Sequence, residues 1–430
     1  MPKRIPILIL ASLILIFHAS IQSFAQTKVI KAGYLFDSES GKFIKNQLIF
    51  IENGKIKKVE NVSSSVQADE VIDLSDSWVM PGFMDLHVHL EGQSSPSAYL
   101  NRFRKNEADR AFDAVVYAKR TLLAGFTTVR DLGGTGVNTS LSKAIAMGKI
   151  EGPRVFSAGK SIATTGGHAD PTNGFRNDLM GDPGPDEGVI NSREEARKAV
   201  RQRYKNGAQV IKITATGGVL SLAKSGMAPQ FTMDELEGIV EAANDLGMIT
   251  AAHAHGAEGM RRAVLAGITS IEHGSLMTEE VMDLMIEHGT YYVPTLMAGV
   301  FTMEKAEIKG YYPEIVVPKA KAIGAKMKGT FKKAYAKGVK IAFGTDSGVS
   351  PHGENAKEFQ YMVEAGMKPE DAIKSATIEA AKLLRVDDEL GVIKEGYIAD
   401  IIAVKMDPLK DIKSLQQISF VMKEGEIFKQ

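Results

Sequence analysis

Between residues 81 and 388 the sequence alternates between two local patterns, and this alternation limits the folds that the chain can adopt. Short runs rich in β-branched residues are followed by longer segments whose apolar residues repeat at helical spacing. Residues 232–246 show this spacing, with apolar side chains at Met233, Leu236, Ile239, Val240 and Ala243. Repeated strand–helix units of this kind are typical of an α/β protein with a (β/α)8 TIM barrel, which we therefore predict.

Each predicted barrel strand is a short apolar run next to a turn or a helix. The eight runs are residues 83–86, 127–130, 154–157, 210–214, 248–253, 269–271, 291–294 and 339–343. We therefore expect the barrel domain to span residues 81–388.

The two ends of the chain have a different pattern, with short strands separated by turns. Such strands are predicted at residues 47–52, 55–59, 71–74, 391–393, 399–404 and 420–423. Neither end has enough strands to form a domain alone. We therefore expect residues 26–80 and 389–430 to form one small β-sandwich domain together, beside the barrel.

The first residues have the three parts of a secretory signal peptide. Two basic residues precede an almost wholly apolar run at 5–17, and small residues at Ser23 and Ala25 mark a cleavage site. The run is shorter than the roughly 20 residues that a spanning helix needs. We therefore expect residues 1–25 to be removed, and the product to be periplasmic or secreted, with no membrane segment in its mature form.

Charge and cysteine content exclude several classes of protein. The chain has 52 basic and 52 acidic side chains, and this balance argues against a nucleic-acid partner bound through a basic surface. It has no cysteine, which excludes disulfides, thiolate-bound metals, iron–sulfur clusters and thiol catalysis. Any metal ligands must therefore come from other residue types.

Histidine and aspartate stand at the ends of several predicted strands. His87 and His89 end the first strand, and residues two apart in an extended chain project to the same side. His253, His273 and Asp346 end the fifth, sixth and eighth strands. Because the carboxyl ends of barrel strands meet at one mouth, these five side chains form a candidate site for a divalent transition ion such as zinc.

Lys212 lies inside the apolar fourth strand, where an ammonium group is costly to bury. Three interpretations remain open at this point. The lysine points outward under a helix, or it forms a buried ion pair, or it carries a carbamate formed with carbon dioxide. A carbamate is an anion with two oxygens, and it would offset the repulsion between two metal ions about 4 Å apart.

Seven motifs resemble those of the amidohydrolase superfamily, and the match is closest to its exported prolidase-like and imidazolonepropionase-like branch. That branch includes Xaa-Pro dipeptidases and N-acyl amino acid hydrolases. The motifs are distributed along essentially the whole mature chain, at residues 81–89, 127–131, 165–168, 211–212, 252–256, 272–274 and 344–346.

The resemblance implies two divalent metal ions, with zinc as the expected metal. The implied ligands of one ion are His87, His89 and Asp346, and those of the other are His253 and His273. The same pattern implies that a carbamate on Lys212 bridges the two ions.

The chemistry implied by the resemblance is hydrolysis of an amide bond. A hydroxide that bridges the two ions is available at neutral pH and attacks the amide carbonyl. Asp346 accepts the hydroxide proton and passes it to the leaving nitrogen. His168, in a glycine-rich loop after the third strand, polarises the carbonyl in this scheme; alternatively, it is an ordinary loop histidine.

The roles of several other polar residues are less specific. His255 stands where carboxylate-binding relatives often have tyrosine, so it either contacts the substrate or supports a metal ligand. Residues 217–230 have the composition of a mobile loop over the mouth, and Lys224 within it is a candidate partner for a substrate carboxylate or a solvated lysine. Simple structural roles are expected for Arg130-Asp131, as an ion pair, and for His288 and His352, as surface or loop residues.

Three functions follow from these observations. The favoured one is a binuclear amidohydrolase that cleaves a dipeptide or an N-acyl amino acid, a small-molecule or short-peptide substrate. The second is a mononuclear deaminase or cyclic-amide hydrolase, against which Lys212 argues. The third is a non-catalytic binding protein on a barrel scaffold. A homo-oligomer is expected from the resemblance.

Overall fold

The structure is a computed structural model that describes residues 27–62 and 68–430. The predicted signal peptide, residues 1–25, lies outside the described residues. Within the described ranges, no helix combines the length and the hydropathy that crossing a bilayer requires.

The strands and helices alternate through the centre of the chain, whereas the two ends are mainly strands. The strands are β1 (Lys28–Asp37), β2 (Lys42–Glu52), β3 (Lys55–Asn61), β4 (Glu70–Pro81), β5 (Phe83–Val88), β6 (Phe126–Asp131), β7 (Arg154–Ser157), β8 (Val210–Thr214), β9 (Ile249–Ala254), β10 (Ser270–His273), β11 (Tyr291–Val293), β12 (Ile401–Val404), β13 (Phe420–Lys423) and β14 (Glu426–Lys429). The helices are α1 (Ala98–Arg104), α2 (Glu107–Leu123), α3 (Val137–Ala146), α4 (Asn177–Met180), α5 (Arg193–Lys205), α6 (Met233–Asp245), α7 (Ala257–Leu265), α8 (Glu279–His288), α9 (Leu296–Lys305), α10 (Val317–Lys337), α11 (Lys357–Glu364), α12 (Pro369–Ser375) and α13 (Ile378–Leu384), with a short 3-10 helix at Ile412–Gln416.

The two ends of the chain form one seven-stranded sheet, in the order β14-β13-β12-β4-β1-β2-β3. The N- and C-terminal parts meet where β12 pairs antiparallel with β4, for example at Ile402 and Met80. The expected partnership of the two ends is therefore present, but as one continuous hydrogen-bonded sheet instead of two separate sheets of a sandwich. Residues 391–393 do not form the strand that the sequence predicts.

The centre of the chain contains two parallel sheets, β5-β6-β7 and β8-β9-β10-β11. Seven of the eight predicted barrel runs are strands in these sheets. The sheets are linked by an isolated bridge, in which the Ile162 N–H donates to the Lys212 carbonyl at 2.8 Å. A continuous ring of eight regular strands is absent from the part of the chain that the structure describes.

The eighth predicted run, residues 339–343, lies between β11 and β5 without being a regular strand. The Ala342 N–H donates to the Tyr292 carbonyl, and the Leu86 N–H donates to the Phe343 carbonyl. Beyond these bonds the buried Asp85 carboxylate accepts from the backbone N–H groups of His87 and Thr345, at 3.2 and 3.0 Å. Asp85 thus accepts hydrogen bonds from backbone N–H groups that a regular β-ladder would use. It fixes the end of β5 and the end of residues 339–343.

The helices that cover the sheets follow the predicted helical spacing. Helix α6 begins after Thr232, whose hydroxyl accepts from the Glu235 N–H while the Glu235 carboxylate accepts from the Thr232 N–H. This capping box satisfies two backbone donors that the first turn leaves free. The face predicted from the spacing is buried, at Leu236, Ile239 and Ala243.

Candidate metal centre

The carboxyl ends of the parallel strands surround a cavity of about 220 Å³. Eight of the site residues predicted from the sequence line this cavity: His87, His89, His168, Lys212, His253, His255, His273 and Asp346. These side chains come from segments as far apart as β5 and the loop after residue 343. Their convergence follows from the parallel direction of the strands, which places all strand ends at one side.

His87, His89 and Asp346 form the most compact group in the cavity. One ligand atom from each lies within 4.8 Å of the other two. Oδ1 of Asp346 is 3.6 Å from Nε2 of His87 and 3.3 Å from Nε2 of His89, and this buried oxygen has no hydrogen-bond donor. A buried carboxylate oxygen without a donor, facing two imidazole nitrogens, is an arrangement that a divalent cation satisfies.

The orientation of the two imidazoles is fixed by acceptors on their far sides. Nδ1 of His87 lies 2.9 Å from Oε2 of Glu272, and Nδ1 of His89 lies 2.8 Å from the Gly133 carbonyl. Both partners can only accept, so each Nδ1 carries the proton and each Nε2 keeps a lone pair toward the cavity. Metal-ligating histidines commonly have this second hydrogen bond.

Glu272 is itself held by a buried arginine. Arg130 donates to Glu272 at 2.8 Å and to the Leu86 carbonyl at 2.7 Å. The predicted Arg130–Asp131 ion pair is therefore wrong, because Asp131 instead accepts from the Leu90 N–H and the Asn138 amide. Adjacent residues of a strand point to opposite faces, so the two side chains cannot readily meet.

Lys212 is buried and its Nζ lies 3.3 Å from Nε2 of His87. The interpretation as an outward-pointing lysine is therefore wrong. No salt bridge to Lys212 is present within residues 27–62 and 68–430, although Glu272 and Asp346 are close enough to favour its charged form. Burial is the larger effect and lowers the pKa of the Lys212 amine, which increases the neutral form able to react with carbon dioxide.

Four further imidazoles pack together beside this group, with ring centroids 4.9 Å apart for His87 and His273. Ring centroids are 4.3 Å apart for His168 and His253, and 4.6 Å apart for His253 and both of its other neighbours, His255 and His273. Their hydrogen-bond partners carry no charge: the Thr295 hydroxyl contacts His273, the Ser275 hydroxyl contacts His255, and the Gly217 carbonyl contacts His253.

The imidazoles of the cavity are neutral at physiological pH, because burial makes the charged form unfavourable. Burial lowers the pKa of His89 to about 4 and the pKa values of His168 and His255 to about 3. The pKa values of His87, His253 and His273 are also lowered, mainly by burial. Neutral imidazoles have the lone pairs that metal coordination requires, so the residues present suit divalent ions.

The loop after β8, predicted as mobile, is held by side chains from two other segments. Nζ of Lys319 in α10 donates to the carbonyls of Gly218, Ser221 and Ala223, at 3.1, 2.6 and 2.9 Å. The Tyr99 hydroxyl donates to the Leu220 carbonyl at 2.6 Å. A Cβ on Gly218 would lie 2.1 Å from the His168 ring, so only glycine allows this approach.

The other polar residues singled out in the sequence agree only in part with their expected roles. Lys224 is exposed and does not line the cavity, so it is a solvated loop lysine in this structure. His288 is exposed at the end of α8, as expected. His352 lies in a loop as expected, but it is buried and its ring stacks on Tyr117 at 4.6 Å.

Comparisons with known proteins agree with this geometry. The sequence profile of the amidohydrolase family matches residues 78–428. An ochratoxinase from Aspergillus niger is 34% identical over 437 residues, which cover 94% of this chain and 87% of that protein. A solved Xaa-Pro dipeptidase with methionine bound in its active site is 51% identical, with a TM-score of 0.92 over 94% of this chain and 100% of that one. A solved prolidase in complex with N-methylphosphonate-L-proline is 31% identical, with a TM-score of 0.86 over the same shares of the two chains.

Proposed function

Because this chain belongs to the amidohydrolase family and is a hydrolase of carbon–nitrogen bonds, we propose that it cleaves the amide bond of a dipeptide or an N-acyl amino acid. The observation that carries this proposal is the convergence of six neutral imidazoles, one buried lysine and one carboxylate without a donor around a single cavity. Family membership argues against the alternative of a non-catalytic barrel protein.

The proposed metal content is two divalent ions, with zinc as the expected metal in this metal-dependent family. His87, His89 and Asp346 would hold one ion, His253 and His273 the other, and a carbamate on Lys212 would join the two. When bound, the metal lowers the pKa of water and polarises a carbonyl group. The donor-free oxygen of Asp346 and the lone pairs of the imidazoles support this assignment.

Asp346 is the proposed general base and acid. Its carboxylate lines the cavity beside the proposed metal ligands, so it can take a proton from the attacking water. The same carboxylate can then deliver that proton to the leaving amide nitrogen. The backbone of Asp346 has a φ of 57°, in the left-handed region, and the Asp346 N–H donates to the His87 carbonyl at 2.7 Å. This turn holds the carboxylate beside β5.

His168 and His255 are the proposed contacts to the substrate. Nδ1 of His168 is buried without a partner, so its N–H form could donate to the oxygen that gains charge during attack. The ring stays close to the reacting centre because it packs between His253 and Gly218. His255 is fixed through Ser275 and lines the same cavity.

The substrate class is supported by the size of the cavity and by the relatives. A volume of about 220 Å³ suits part of a small molecule or short peptide better than a folded protein. The similar solved structures include a dipeptidase with methionine bound and a prolidase with a proline phosphonate, and the similar ochratoxinase is named for a small-molecule substrate.

Three expectations about the whole protein are part of the same proposal. The two parallel sheets with their linking hydrogen bonds would be one (β/α)8 barrel. Residues 1–25 would direct export, giving a periplasmic or secreted enzyme. The enzyme would be a homo-oligomer.

The experiment that tests the proposal is a hydrolysis screen with metal-reconstituted protein. The library contains Xaa-Pro and other dipeptides, N-acyl amino acids, cyclic amides and deaminase substrates, and Asp346→Asn is the matched inactive control. The proposal predicts turnover of dipeptides or N-acyl amino acids that is lost in the control. Turnover confined to cyclic amides or amines, with one metal per chain, would favour the mononuclear alternative instead.

A further inference from the structure

Part of the metal cavity is bounded by an apolar surface that has no role in the proposed chemistry. This surface, the α9–α10 wall, consists of Ala298, Gly299 and Thr302 of α9 and Ile323, Gly324 and Met327 of α10. These residues line the same cavity as the proposed metal ligands. A group bonded to the reacting amide can therefore rest against the wall without entering another cavity.

The α9–α10 wall begins close to a proposed metal ligand. The hydroxyl of Thr295, the residue before α9, lies 2.7 Å from Nδ1 of His273. The Ala298 N–H donates to the Thr295 carbonyl at 3.1 Å, within the first turn of the helix. One helical turn advances about 5.4 Å. Either side chain of a dipeptide starts only a few bonds from the scissile carbonyl, so a side chain of the substrate can reach the wall.

The wall offers no charged partner to a substrate side chain. Among the described residues that line the cavity, Asp346 is the single carboxylate and Lys212 the single amine, and both belong to the proposed metal centre. Thr302 turns its hydroxyl to its own helix, where it donates to the Ala298 and Gly299 carbonyls at 2.9 and 3.1 Å. A charged side chain placed against this wall would lose its hydration without compensation.

Met327 determines how much room the wall leaves. A Cβ on Gly324 would lie 2.9 Å from the Gly299 carbonyl oxygen, so the backbones of α9 and α10 approach closely at these glycines. A Cβ on Gly299 would lie 2.2 Å from Sδ of Met327, so the methionine side chain lies directly on Gly299. Met327 is buried and lines the cavity, and its unbranched side chain fills the remaining space.

One face of α10 joins the wall to the loop after β8. Lys319, Ile323 and Met327 are spaced four residues apart, which places them on the same face of the helix. Lys319 holds the loop through its carbonyls, and Ile323 and Met327 line the cavity. Val219 and Leu220 of that loop line the cavity as well, so the apolar surface continues beyond the two helices.

We infer that the α9–α10 wall is a side-chain pocket that selects amides with an uncharged, apolar residue next to the scissile bond. Met327 is the specificity-determining residue, because its side chain sets the size and the polarity of the pocket. The inference rests on the proposed function and narrows its substrate class. Leucine-like side chains are accepted, and those of lysine, arginine, aspartate and glutamate are excluded.

The test uses dipeptides in which alanine is joined, in either order, to norleucine, lysine, glutamate or tryptophan. Norleucine resembles lysine without the ammonium group, so this pair isolates the effect of charge. Values of kcat/KM are measured with metal-loaded protein, and isothermal titration calorimetry measures the binding of any dipeptide that is not hydrolysed. The variants are Met327→Glu and Met327→Ala, with circular dichroism to check folding. Met285→Ala is the matched control, because Met285 is also buried, on α8, and does not line the cavity.

The wild type should favour norleucine over lysine and glutamate by about 100-fold or more in at least one order of the dipeptide, because the charged side chains lose hydration. Met327→Glu should lower the norleucine-to-lysine ratio by about tenfold or more, since the new carboxylate pairs with the ammonium group. Met327→Ala should raise the tryptophan-to-norleucine ratio by about tenfold, and Met285→Ala should keep the wild-type ratios.

A wild type without this preference in either order, or folded Met327 variants with wild-type ratios, would overturn the inference. If Met327→Glu does not fold, Met327→Ala decides alone.

Failure of the proposed function has a different signature. If lysine dipeptides are hydrolysed as fast as norleucine dipeptides, the pocket is rejected and the proposed function stands. If no dipeptide is hydrolysed but norleucine dipeptides bind more tightly than lysine dipeptides, and Met327→Glu loses that preference, the pocket stands and hydrolysis of this class does not. If no dipeptide is hydrolysed or bound, the pocket is rejected as well.

Discussion

The two sides of the cavity hold their imidazoles in different ways. On one side, His87 and His89 lie beside the Asp346 carboxylate, and buried Glu272 orients His87 from behind. On the other side, His253 and His273 are held by uncharged groups, the Gly217 carbonyl and the Thr295 hydroxyl. The first side therefore brings its own negative charge, and the second side does not.

This difference indicates how each side would bind a cation. The carboxylates of Asp346 and Glu272 already orient and complement the imidazoles of the first side in the metal-free protein. The second side lacks this charge, so it depends on an additional anion and on the loop that holds His168 and His253 in place. A carbamate on Lys212 would supply that anion, since its amine lies 3.3 Å from His87 and Lys212 lines the same cavity as His253 and His273.

The largest effect is expected for Asp346→Asn, which removes the charge of the first side. Since Asp346 is both a proposed ligand and the proposed base, kcat should fall by about 10³-fold. Steady-state kinetics on metal-loaded protein, with circular dichroism to check folding, measures this. A folded variant with a rate near that of the wild type would contradict the role of Asp346.

Glu272→Gln should weaken the first side without touching the reacting atoms. Loss of the carboxylate behind His87 should lower metal affinity by about 10- to 100-fold. It also leaves Arg130 buried without its partner, which should reduce the free energy of unfolding by about 3–5 kcal/mol. Chelator competition and urea unfolding report the two effects.

Glu287→Gln is the control for this variant, because Glu287 is exposed on α8. It should leave metal affinity and stability unchanged. Equal metal affinity in Glu272→Gln and Glu287→Gln would show that the carboxylate does not prepare the first side.

Lys319→Met tests the second side. The variant leaves three loop carbonyls without their ammonium donor, and Gly218 then no longer holds the His168 ring in place. We expect kcat/KM to fall by about tenfold while the ion of the first side is retained. Lys326→Met, an exposed position of the same helix, should behave as the wild type.

Lys319→Arg keeps the positive charge and should recover part of the rate. If Lys319→Met and Lys326→Met have the same kinetics, the loop does not depend on this lysine.

The smallest effect is a local response of the metal-free protein to acid. Burial lowers the pKa values of the cavity histidines, so the folded state binds fewer protons than an open state below about pH 6.5. Stability present at pH 7 is therefore lost as the pH falls toward the folded values, about 3 for His168 and His255.

Hydrogen exchange at pH 7 and pH 5 measures this loss segment by segment. Four imidazoles lie on the second side and two on the first, so residues 251–256 should lose more protection than residues 84–90. Equal losses of protection in the two segments would contradict the claim that the two sides respond differently to acid.

The sequence was sufficient to place the residues around the cavity, because strand ends obey a simple geometric rule. Histidines at the ends of the predicted first, fifth and sixth strands, and Asp346 after the eighth run, had to meet if the strands were parallel. The family motifs strengthened this expectation, and the amidohydrolase assignment was confirmed.

The contacts behind the ligands could not be predicted in the same way. Glu272 and His87 are 185 positions apart, and local periodicity carries no information about such a pair. The same holds for Lys319, whose partners in the loop are about a hundred positions away, so that the loop composition alone suggested mobility. His352 is buried because Tyr117 from α2 stacks on it, which its own neighbours in the sequence do not indicate.

The metal content of the wild type and of Lys212→Ala tests the central claim most directly, with Lys224→Ala as the exposed lysine control. Elemental analysis after reconstitution with zinc and bicarbonate should give two ions per chain in the wild type and in Lys224→Ala, and one or fewer in Lys212→Ala. One ion per chain in the wild type, or two in Lys212→Ala, would contradict a pair of ions joined through the Lys212 side chain.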